Sequence, residues 1–219
     1  MTELFSNWID WTPQLFKGLK VSLQLVGLAM LFGLPLGLAL ALLSSAKSRV
    51  PRYIAVAAVE IGRGAPALVV LQMVYYGLPS AGFNVGAFAA AATALALTTG
   101  AYTSEILRAG LNAVPRREVE AGMALGMTRA DIMRYVVIPQ GILFAVPALM
   151  SFAILIFQAT ALAFTIAVPE LLARAYRVGA ATYLYLDVLI LAGLLYLAVT
   201  IPFGWLVSWT ERRLGRHLG

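Results

Sequence analysis

The stretch from Glu118 to Pro139, EVEAGMALGMTRADIMRYVVIP, is a polar island of 22 residues in an otherwise apolar chain. Over all 219 residues, 61% are hydrophobic and only 12% are charged, a composition that a soluble domain does not have. Four runs without Asp, Glu, Lys or Arg are each long enough to cross a ~30 Å hydrocarbon core: 21–46, 64–104, 135–169 and 188–210. The sequence therefore predicts an all-α integral membrane protein in which the island meets a soluble partner.

The number of spans depends on how the long apolar run between Arg63 and Glu105 is divided. Glycine, proline, serine and asparagine cluster in GLPSAGFNVG at 77–86, which favours a turn there. Dividing the run at this turn predicts five transmembrane helices, at about 18–44, 53–77, 86–109, 139–165 and 184–209. Residues 1–219 then form a single transmembrane domain, with a loop at about 115–139 between the third and fourth spans.

Basic residues near the ends of the spans indicate the orientation, because lysine and arginine concentrate on the cytoplasmic side of a membrane. Eleven fall on the side of the polar island: Lys47, Arg49, Arg52, Arg108, Arg116, Arg117, Arg129, Arg134, Arg212, Arg213 and Arg216. Four fall on the opposite side: Lys17, Lys20, Arg174 and Arg177. The asymmetry predicts an N-terminus outside the cytoplasm, and a C-terminus and polar island inside it. The net charge of +6 then reflects topology, since the basic residues form no single face of the kind that binds nucleic acid.

Within the island, the residue order predicts two short helices joined by a glycine turn, although an amphipathic loop on lipid headgroups would show a similar pattern. Residues 116–125 are good helix formers with two acids near the start, and Gly126 stands where a helix C-cap favours a residue without Cβ. Thr128 and Asp131 form a capping-box pattern that starts a second helix, which is expected to end at Pro139, where the fourth span opens. The apolar side of this elbow consists of Val119, Met123, Ile132, Met133 and Val136.

The same residues resemble the EAA loop of ATP-binding-cassette importer permeases. The match is the order Glu120-Ala121-Gly122, three residues, Gly126, nine residues, Val136, one residue and Ile138-Pro139. Gly122 replaces the family's usual alanine, which is expected to loosen the first helix by up to ~1 kcal/mol. The resemblance implies that the elbow is a pair of coupling helices that dock into a groove of a cytoplasmic ATPase subunit. The implied coupling residues are Glu120, Ala121, Gly122, Gly126, Thr128, Asp131 and Pro139.

The resemblance extends over nearly the whole chain and narrows to the permeases of polar amino-acid importers. The motifs that carry it are Val21-Ser22-Leu23-Gln24-Leu25, Glu60-Ile61-Gly62-Arg63-Gly64-Ala65-Pro66, GAYTSEILRAG at 100–110, Pro169-Glu170-Leu171 and Glu211-Arg212-Arg213. Each motif is weak alone, but their order and spacing together are specific.

The resemblance implies a permease subunit of an ATP-driven importer that carries an amino acid or related small polar solute across a bacterial inner membrane. The implied partners are a second permease subunit, identical or homologous, two ATPase subunits and an extracytoplasmic solute-binding protein. ATP would be bound by the ATPase subunits, since this chain has no G-x-x-x-x-G-K-[ST] phosphate loop. No cofactor, metal site or catalysis by the chain itself is expected, because it has no cysteine and only one histidine, His217.

Charged residues in or near the spans are candidates for the solute path. Glu60 and Arg63 lie three apart on one helix face and are expected to neutralise each other, and Glu105 and Arg108 repeat that spacing. Pairing that only holds helices together is one interpretation of these residues. The functional alternative is that Arg63 binds a carboxylate of the solute, because a guanidinium fork matches that group.

Two further candidates for the path lie in the fourth span, at Gln158-Ala159-Thr160. Many members of the family that the chain resembles carry Lys-Asp or Lys-Ser before Thr-Ser-Leu here. If Gln158 and Thr160 line the path, the preferred solute differs from the common basic or acidic amino acids. The alternative is that Gln158 only forms a hydrogen bond to a neighbouring helix.

After the fourth span, the segment PELLARAYRVG at 169–179 predicts a short external helix. Pro169 would lie in its first turn, Glu170 beside the positive end of its dipole, and Gly179 at its end.

Two other classes of function fit parts of the pattern. An ion-coupled secondary transporter would use Glu60 and Glu105 as relays, but such proteins usually have internal repeats and more spans. A membrane scaffold protein without transport would use the elbow only for docking.

Overall fold

The computed structural model describes residues 2–46 and 48–218, and the chain folds into helices over these residues. Lys47, one of the basic residues assigned to the cytoplasmic side, and the side chains of 2–6 and 215–218 lie outside the described residues. The α-helices are α1 (Thr2–Ser44), α2 (Arg49–Gly64), α3 (Ala67–Ser80), α4 (Ala87–Asn112), α5 (Arg116–Ala124), α6 (Arg129–Ile132), α7 (Ile138–Ala159), α8 (Leu171–Thr182) and α9 (Tyr185–Leu218). A π-helical turn, Met133–Val137, joins α6 to α7, and a 3-10 helix, Thr160–Ile166, follows α7.

Within residues 2–46 and 48–218, three helical segments are long and apolar enough to cross a membrane, namely Asn7–Ser44, Arg129–Ile166 and Tyr185–Leu214. They correspond to the first, fourth and fifth predicted spans and extend beyond them. The bent pair of α2 and α3 is a fourth candidate. The predicted class, an all-helical membrane protein, is confirmed.

The second predicted span, 53–77, is wrong as a single helix. α2 and α3 meet at an angle of 104°, and the break falls at Ala65 and Pro66. Ala65 is extended, with φ −78° and ψ 132°, because a proline disfavours the helical conformation in the residue before it. Pro66 also has no N–H to continue the hydrogen-bonding pattern of α2. A break here therefore follows from the local sequence.

The third predicted span, 86–109, corresponds to α4, which is the centre of the bundle. Most of its residues are small, and 13 of them are buried, including Thr99 and Ser104. α4 is less apolar than the three long segments, and half of its 26 residues are buried against the other helices. Its approach to α1 is close: a Cβ added at Gly33 would lie 2.5 Å from the Cβ of Thr99.

The close contacts also give the relative directions of the helices. Gly33 faces Thr99 and Gly37 faces Thr103, so α1 and α4 run parallel. α7 runs antiparallel to α4, since Gly110 approaches Gly141 at one end while the rings of Tyr102 and Phe152 stack at 5.5 Å further along. The α5–α6 elbow consequently lies at one end of the bundle, the elbow end. α8, which packs on the first half of α1, lies at the opposite end, the α8 end.

The predicted end of the second elbow helix at Pro139 is also wrong. The chain remains helical from α6 through the π turn into α7, with φ −62° and ψ −50° at Ile138. Pro139 removes one N–H, and its ring would crowd the carbonyl group four residues earlier in a regular helix. The π turn widens the backbone just before it, and the Ile138 N–H bonds to the Met133 carbonyl five residues back. The proline is thereby accommodated without a break.

Candidate coupling surface and solute path

The first half of the elbow ends as the sequence predicts, at Gly126. This residue has φ +76°, in the left-handed region that favours glycine. Its N–H bonds to the Met123 carbonyl at 3.0 Å, and the Met127 N–H bonds to the Gly122 carbonyl at 3.1 Å. These two bonds are the Schellman arrangement, which satisfies carbonyl groups at the end of α5.

The second half begins with the predicted capping box. The Asp131 N–H donates to the Thr128 hydroxyl oxygen at 3.2 Å, and the Thr128 N–H donates to the Asp131 carboxylate at 3.3 Å. The Thr128 hydroxyl also donates to the same carboxylate oxygen at 2.6 Å. Both helix ends at the turn therefore have hydrogen-bond partners, which fixes the angle between α5 and α6.

The predicted apolar side of the elbow divides into two groups. Ile132 is buried against Val114 and Val137, and Val119 and Val136 pack on this cluster. Met123 and Met133 remain exposed, at 55% and 38%, and Leu125, which was not among the predicted residues, is 82% exposed beside them. The first group attaches the elbow to the bundle, and the second gives it an apolar outer surface, where Glu120 and Ala121 are also exposed.

Gly122 allows α5 and α6 to pack closely. It is buried, and an added Cβ would lie 3.0 Å from Cγ1 and 3.4 Å from Cδ1 of Ile132. An alanine at this position would therefore have to displace the Ile132 side chain. Glycine at this position therefore leaves space for the Ile132 side chain, in addition to being a weaker helix former than alanine.

The charged candidates of α2 and α4 form one cluster, in which the predicted Glu105–Arg108 pair is confirmed and the predicted Glu60–Arg63 pair is not. Glu105 binds Arg108 through two hydrogen bonds, one of 3.0 Å from Nε to Oε1 and another from Nη2 to Oε2. Arg63 Nη1 lies 3.8 Å from the same Oε2, so Arg63 pairs with Glu105 and not with Glu60 as predicted. The Tyr102 hydroxyl donates to the Arg63 carbonyl at 3.1 Å, and the Arg63 guanidinium lies over the Tyr102 ring. These contacts hold the end of α2 against α4.

Glu60 lies on the elbow side of this cluster. It lines a cavity of about 260 Å³ with Ser44, Val56, Val59, Glu105 and Arg108. Three of the five solute-path candidates, Glu60, Arg63 and Glu105, are thus brought together between α2 and α4.

The other two path candidates point in different directions. Thr160 is fully buried, and its hydroxyl donates to the Phe157 carbonyl at 2.7 Å. Gln158 is exposed on the surface of the bundle. The structure therefore separates them, because two residues of spacing on a helix place side chains on opposite sides.

Sequence reasoning missed a polar group in the core at the α8 end. Glu170 is fully buried and caps α8, since Leu172 N–H donates to Oε2 at 2.9 Å and Ala173 N–H donates to Oε1 at 2.6 Å. The hydroxyls of Ser22 and Tyr196 donate to Oε2 at 3.4 and 3.2 Å. We call Ser22, Glu170 and Tyr196 the Glu170 knot.

Burial raises the pKa of the Glu170 carboxyl group above its usual value, and the hydrogen bonds oppose this shift without cancelling it. The predicted position of Glu170 at the start of α8 is confirmed. The predicted end of α8 at Gly179 is wrong, because the helix continues to Thr182 and Gly179 is covered by the ring of Tyr185. Motifs containing Ser22 and Glu170 are visible in the sequence, but their partnership across 148 positions is not.

Comparisons with known proteins identify the family. A family profile described as "Binding-protein-dependent transport system inner membrane component" matches residues 33–216. The arginine transport system permease protein ArtQ of Bacillus subtilis is 36% identical over 211 residues, which are 96% of this chain and 96% of ArtQ. The nopaline transport system permease protein NocM of Agrobacterium fabrum is 35% identical, over 96% of this chain and 91% of NocM. The probable amino-acid ABC transporter permease protein PatM of Vibrio harveyi is 32% identical, over 97% of this chain and 96% of PatM.

Solved structures agree with this result. A chain of an amino acid ABC transporter crystallised with histidines has a TM-score of 0.89 and 37% identity, and the match covers 95% of this chain and 98% of that one. A chain of the MetNI methionine ABC transporter in an inward-facing conformation has a TM-score of 0.71 and 20% identity, and the match covers 94% of this chain and 96% of that one. At this identity, the match shows the shared fold alone. The chain therefore belongs to the binding-protein-dependent transport system inner membrane components, and it is a permease subunit of an ATP-binding-cassette importer.

Proposed function

We propose that this permease imports an amino acid or a closely related small polar solute across a bacterial inner membrane. Its relatives are named as permeases for arginine, amino acids and nopaline, and they match over 96–97% of this chain. The working complex would contain a second permease subunit, two ATPase subunits that bind the ATP, and an extracytoplasmic solute-binding protein. The permease itself would not be catalytic.

The elbow is the observation that carries this proposal. Its outer surface presents Glu120, Ala121, Met123 and Leu125, while Ile132 anchors its inner surface to the bundle. A surface with exposed apolar side chains that is rigidly attached on the opposite side is suited to docking a protein partner. The flexible side chain of Met123 suits a contact that repacks as the partner moves. We assign this surface to the ATPase subunit.

The connection from the elbow to the spans is direct. Because α6, the π turn and α7 are continuous, Arg129–Ile166 forms a single helical segment of 38 residues. A displacement of α6 by the closing ATPase subunits would therefore move α7 without a flexible joint between them. α7 extends to Ala159, so the same segment joins the docking surface to the α8 end of the bundle, where Phe157 packs with Leu171.

The exposed faces of α7 and α9 differ in polarity. α7 exposes Ala148, Ser151, Leu155 and Gln158 along one stripe. α9 exposes only apolar side chains along a comparable stripe, at Ile190, Leu194, Leu197 and Ile201. Polar groups are costly in contact with lipid, so we place the α7 stripe at the solute path between two permease subunits and the α9 stripe in lipid. Glu60, Arg63 and Glu105 would then lie towards the cytoplasmic end of the path.

The proposed orientation has the N-terminus outside the cytoplasm and the elbow end inside. The elbow end collects most of the basic residues, including Arg49, Arg52, Arg116, Arg117 and Arg129. The α8 end has Lys17, Lys20, Arg174 and Arg177. The excess at the elbow end supports a cytoplasmic location for it.

The first test is mass spectrometry of the proteins that co-purify with the tagged chain after gentle extraction from its native membrane. We expect an ATPase subunit to be recovered with the wild type and lost with Leu125→Asp, which puts a charge into the exposed apolar surface. Tyr183→Asp is the matched control, since Tyr183 is 87% exposed at the opposite end of the bundle. Recovery of the wild-type chain without an ATPase would contradict the proposal and favour a secondary transporter that uses Glu60 and Glu105.

The second test identifies the solute class. The assembled complex in proteoliposomes, together with its binding protein, should hydrolyse ATP faster and accumulate label when an amino acid is supplied. Failure of every proteinogenic amino acid and its close derivatives to stimulate hydrolysis would remove the amino-acid assignment.

A further inference from the structure

The 3-10 helix that follows α7 is held at both of its ends by the Glu170 knot. Before it, Phe157 is buried with its ring 5.2 Å from that of Tyr196. After it, the fully buried Val168 bonds through its N–H to the Ala163 carbonyl at 3.2 Å, and the Glu170 N–H bonds to the Val168 carbonyl at 2.9 Å. The chain therefore enters and leaves this segment through residues that contact the knot.

The residue that closes the 3-10 helix is in a strained conformation. Ala167 has φ +62°, in the left-handed region that residues with a Cβ avoid. Such a conformation persists when the surrounding contacts determine it, and the surrounding contacts here are those of Val168 and Glu170. The knot consequently fixes the path of the chain from Phe157 to the start of α8.

Gln158 lies between two residues that this arrangement fixes. Phe157, its neighbour on one side, packs on Tyr196, and Thr160, two positions further on, is fully buried. Gln158 itself is exposed on the α7 stripe that we place at the solute path. The direction of its amide group therefore depends on how firmly Phe157 and Thr160 are held.

We infer that Glu170 is a positioning residue for solute selection. It acts through Tyr196 and Phe157 to fix where the Gln158 side chain projects into the solute path. This inference rests on the proposed function. Glu170 would not touch the solute, since its carboxyl group is fully buried. The chemical class that Gln158 would recognise is a neutral or zwitterionic polar solute, because a primary amide both donates and accepts hydrogen bonds and has no charge.

Glutamine cannot replace glutamate in this knot. The backbone N–H groups of Leu172 and Ala173 donate to different carboxylate oxygens, Oε2 and Oε1 respectively. The NH₂ group of a glutamine would face one of these donors, whichever way the amide is turned. Backbone N–H groups cannot rotate away as hydroxyls can, so one donor would be left without a partner. Tyr196→Phe is a milder variant, since it keeps the ring against Phe157 and removes only the hydroxyl.

The position of Gln158 can be measured without transport, because the chain contains no cysteine. Gln158→Cys in the assembled transporter would be the only thiol in this subunit, and its rate of reaction with a water-soluble thiol reagent reports its exposure. We expect Tyr196→Phe and Glu170→Gln to change this rate by about threefold or more, since a small displacement of a positioned group has large effects. Tyr183→Phe, at an exposed tyrosine, should leave it unchanged. Ser151→Cys, on the same stripe two turns earlier, should also react at an unchanged rate in all three backgrounds.

Transport then separates a positioning role from a structural one. Tyr196→Phe should alter the ratio of kcat/KM between two solutes of different side chain. A variant that only loses stability would lower the amount of active transporter and reduce uptake of both solutes equally. Equal reduction, together with an unchanged labelling rate at Gln158→Cys, would overturn the inference, as would a Gln158→Cys that does not react in the wild-type background.

The two proposals fail in distinguishable ways. If no amino acid is transported by the wild type, the proposed function is wrong, but the labelling rates still test whether the knot positions Gln158. If amino acids are transported and the ratio of kcat/KM between the two solutes is the same in every variant, the proposed function stands and the selective role of Glu170 is wrong.

Discussion

The two ends of this permease each carry a short helix that begins with an acidic side chain and a hydroxyl, but the two caps are used differently. In the elbow, Thr128 and Asp131 are three residues apart, and their hydrogen bonds are exposed. At the α8 end, Glu170 and Ser22 are 148 residues apart, and both are fully buried. A local, exposed cap shapes the surface that we assign to the ATPase subunit. A buried cap built from distant residues locks several helices together.

Substitution in the buried cap should destabilise the protein more than substitution in the exposed one. Of the changes considered, Glu170→Ala should have the largest effect on stability. The change removes the N-cap of α8 and leaves the buried hydroxyls of Ser22 and Tyr196 without an acceptor. The loss should be about 3–7 kcal/mol, from ~1 kcal/mol for the cap and ~1–3 kcal/mol for each of the two unsatisfied groups. Thermal unfolding of the purified transporter in detergent measures this loss, with Glu211→Ala as an exposed control. An unchanged melting temperature would show that the knot is not a structural centre.

Gly126→Val tests the exposed turn of the elbow by distorting it without touching the core. A β-branched residue at φ +76° is strained by about 1–3 kcal/mol, and the Schellman turn should open. We expect uptake to fall at least about tenfold, since a displacement of even 1 Å at the coupling contact has effects of this size or greater. Gly193→Val is the matched control, because a Cβ there meets nothing within 4 Å. Wild-type uptake by Gly126→Val at normal expression would show that the elbow does not transmit the motion.

Thr128→Ala should have a smaller effect on the elbow. It removes the hydroxyl of the capping box and should cost about 1 kcal/mol, while Thr128→Ser should restore most of that loss. ATP hydrolysis by the reconstituted complex is the readout, and we expect a higher basal rate with weaker stimulation by solute. A Thr128→Ala complex with unaltered stimulation would mean that the Schellman turn alone is sufficient to shape the elbow.

The smallest predicted effect concerns Gly122. Replacing it by alanine gains up to ~1 kcal/mol of helix propensity, but the added methyl group crowds Ile132 at 3.0 Å. We expect these two contributions to the free energy of unfolding nearly to cancel in Gly122→Ala. In a background of Ile132→Ala, which removes both Cγ1 and Cδ1 of the crowded side chain, the alanine at position 122 should stabilise the protein. A double-mutant cycle on thermal unfolding measures this coupling, and strict additivity would contradict the contact.

The same contrast explains what could be predicted from the sequence. The elbow is specified by residues within a few positions of one another, so Gly126, Thr128 and Asp131 could be assigned before the structure was known. The knot could not, because its partners come from α1, α8 and α9. The break at Pro66 was accessible from local rules, and it was missed because the apolar run continues across it.

Two other errors arose where neighbouring structure outweighed spacing along the chain. Glu60 and Arg63 have the spacing of a helical ion pair, but Glu105 of α4 lies within reach of Arg63 and binds it instead. Pro139 has the usual position of a residue that ends a helix. The π turn before it changes the hydrogen-bonding pattern, so the helix continues although Pro139 has no N–H. In both places the sequence gives a correct local preference that neighbouring structure overrides.

The π turn between the elbow and α7 also determines a rotational phase. Each residue of an α-helix advances the direction of its side chain by about 100°, and a π turn contains one residue more than a regular turn. If Met133–Val137 were regular α-helix with the same number of residues, the stripe of Ser151 and Gln158 would therefore be rotated by about 100° relative to the docking surface. The π turn therefore sets which face of α7 lies in line with the docking surface that we propose.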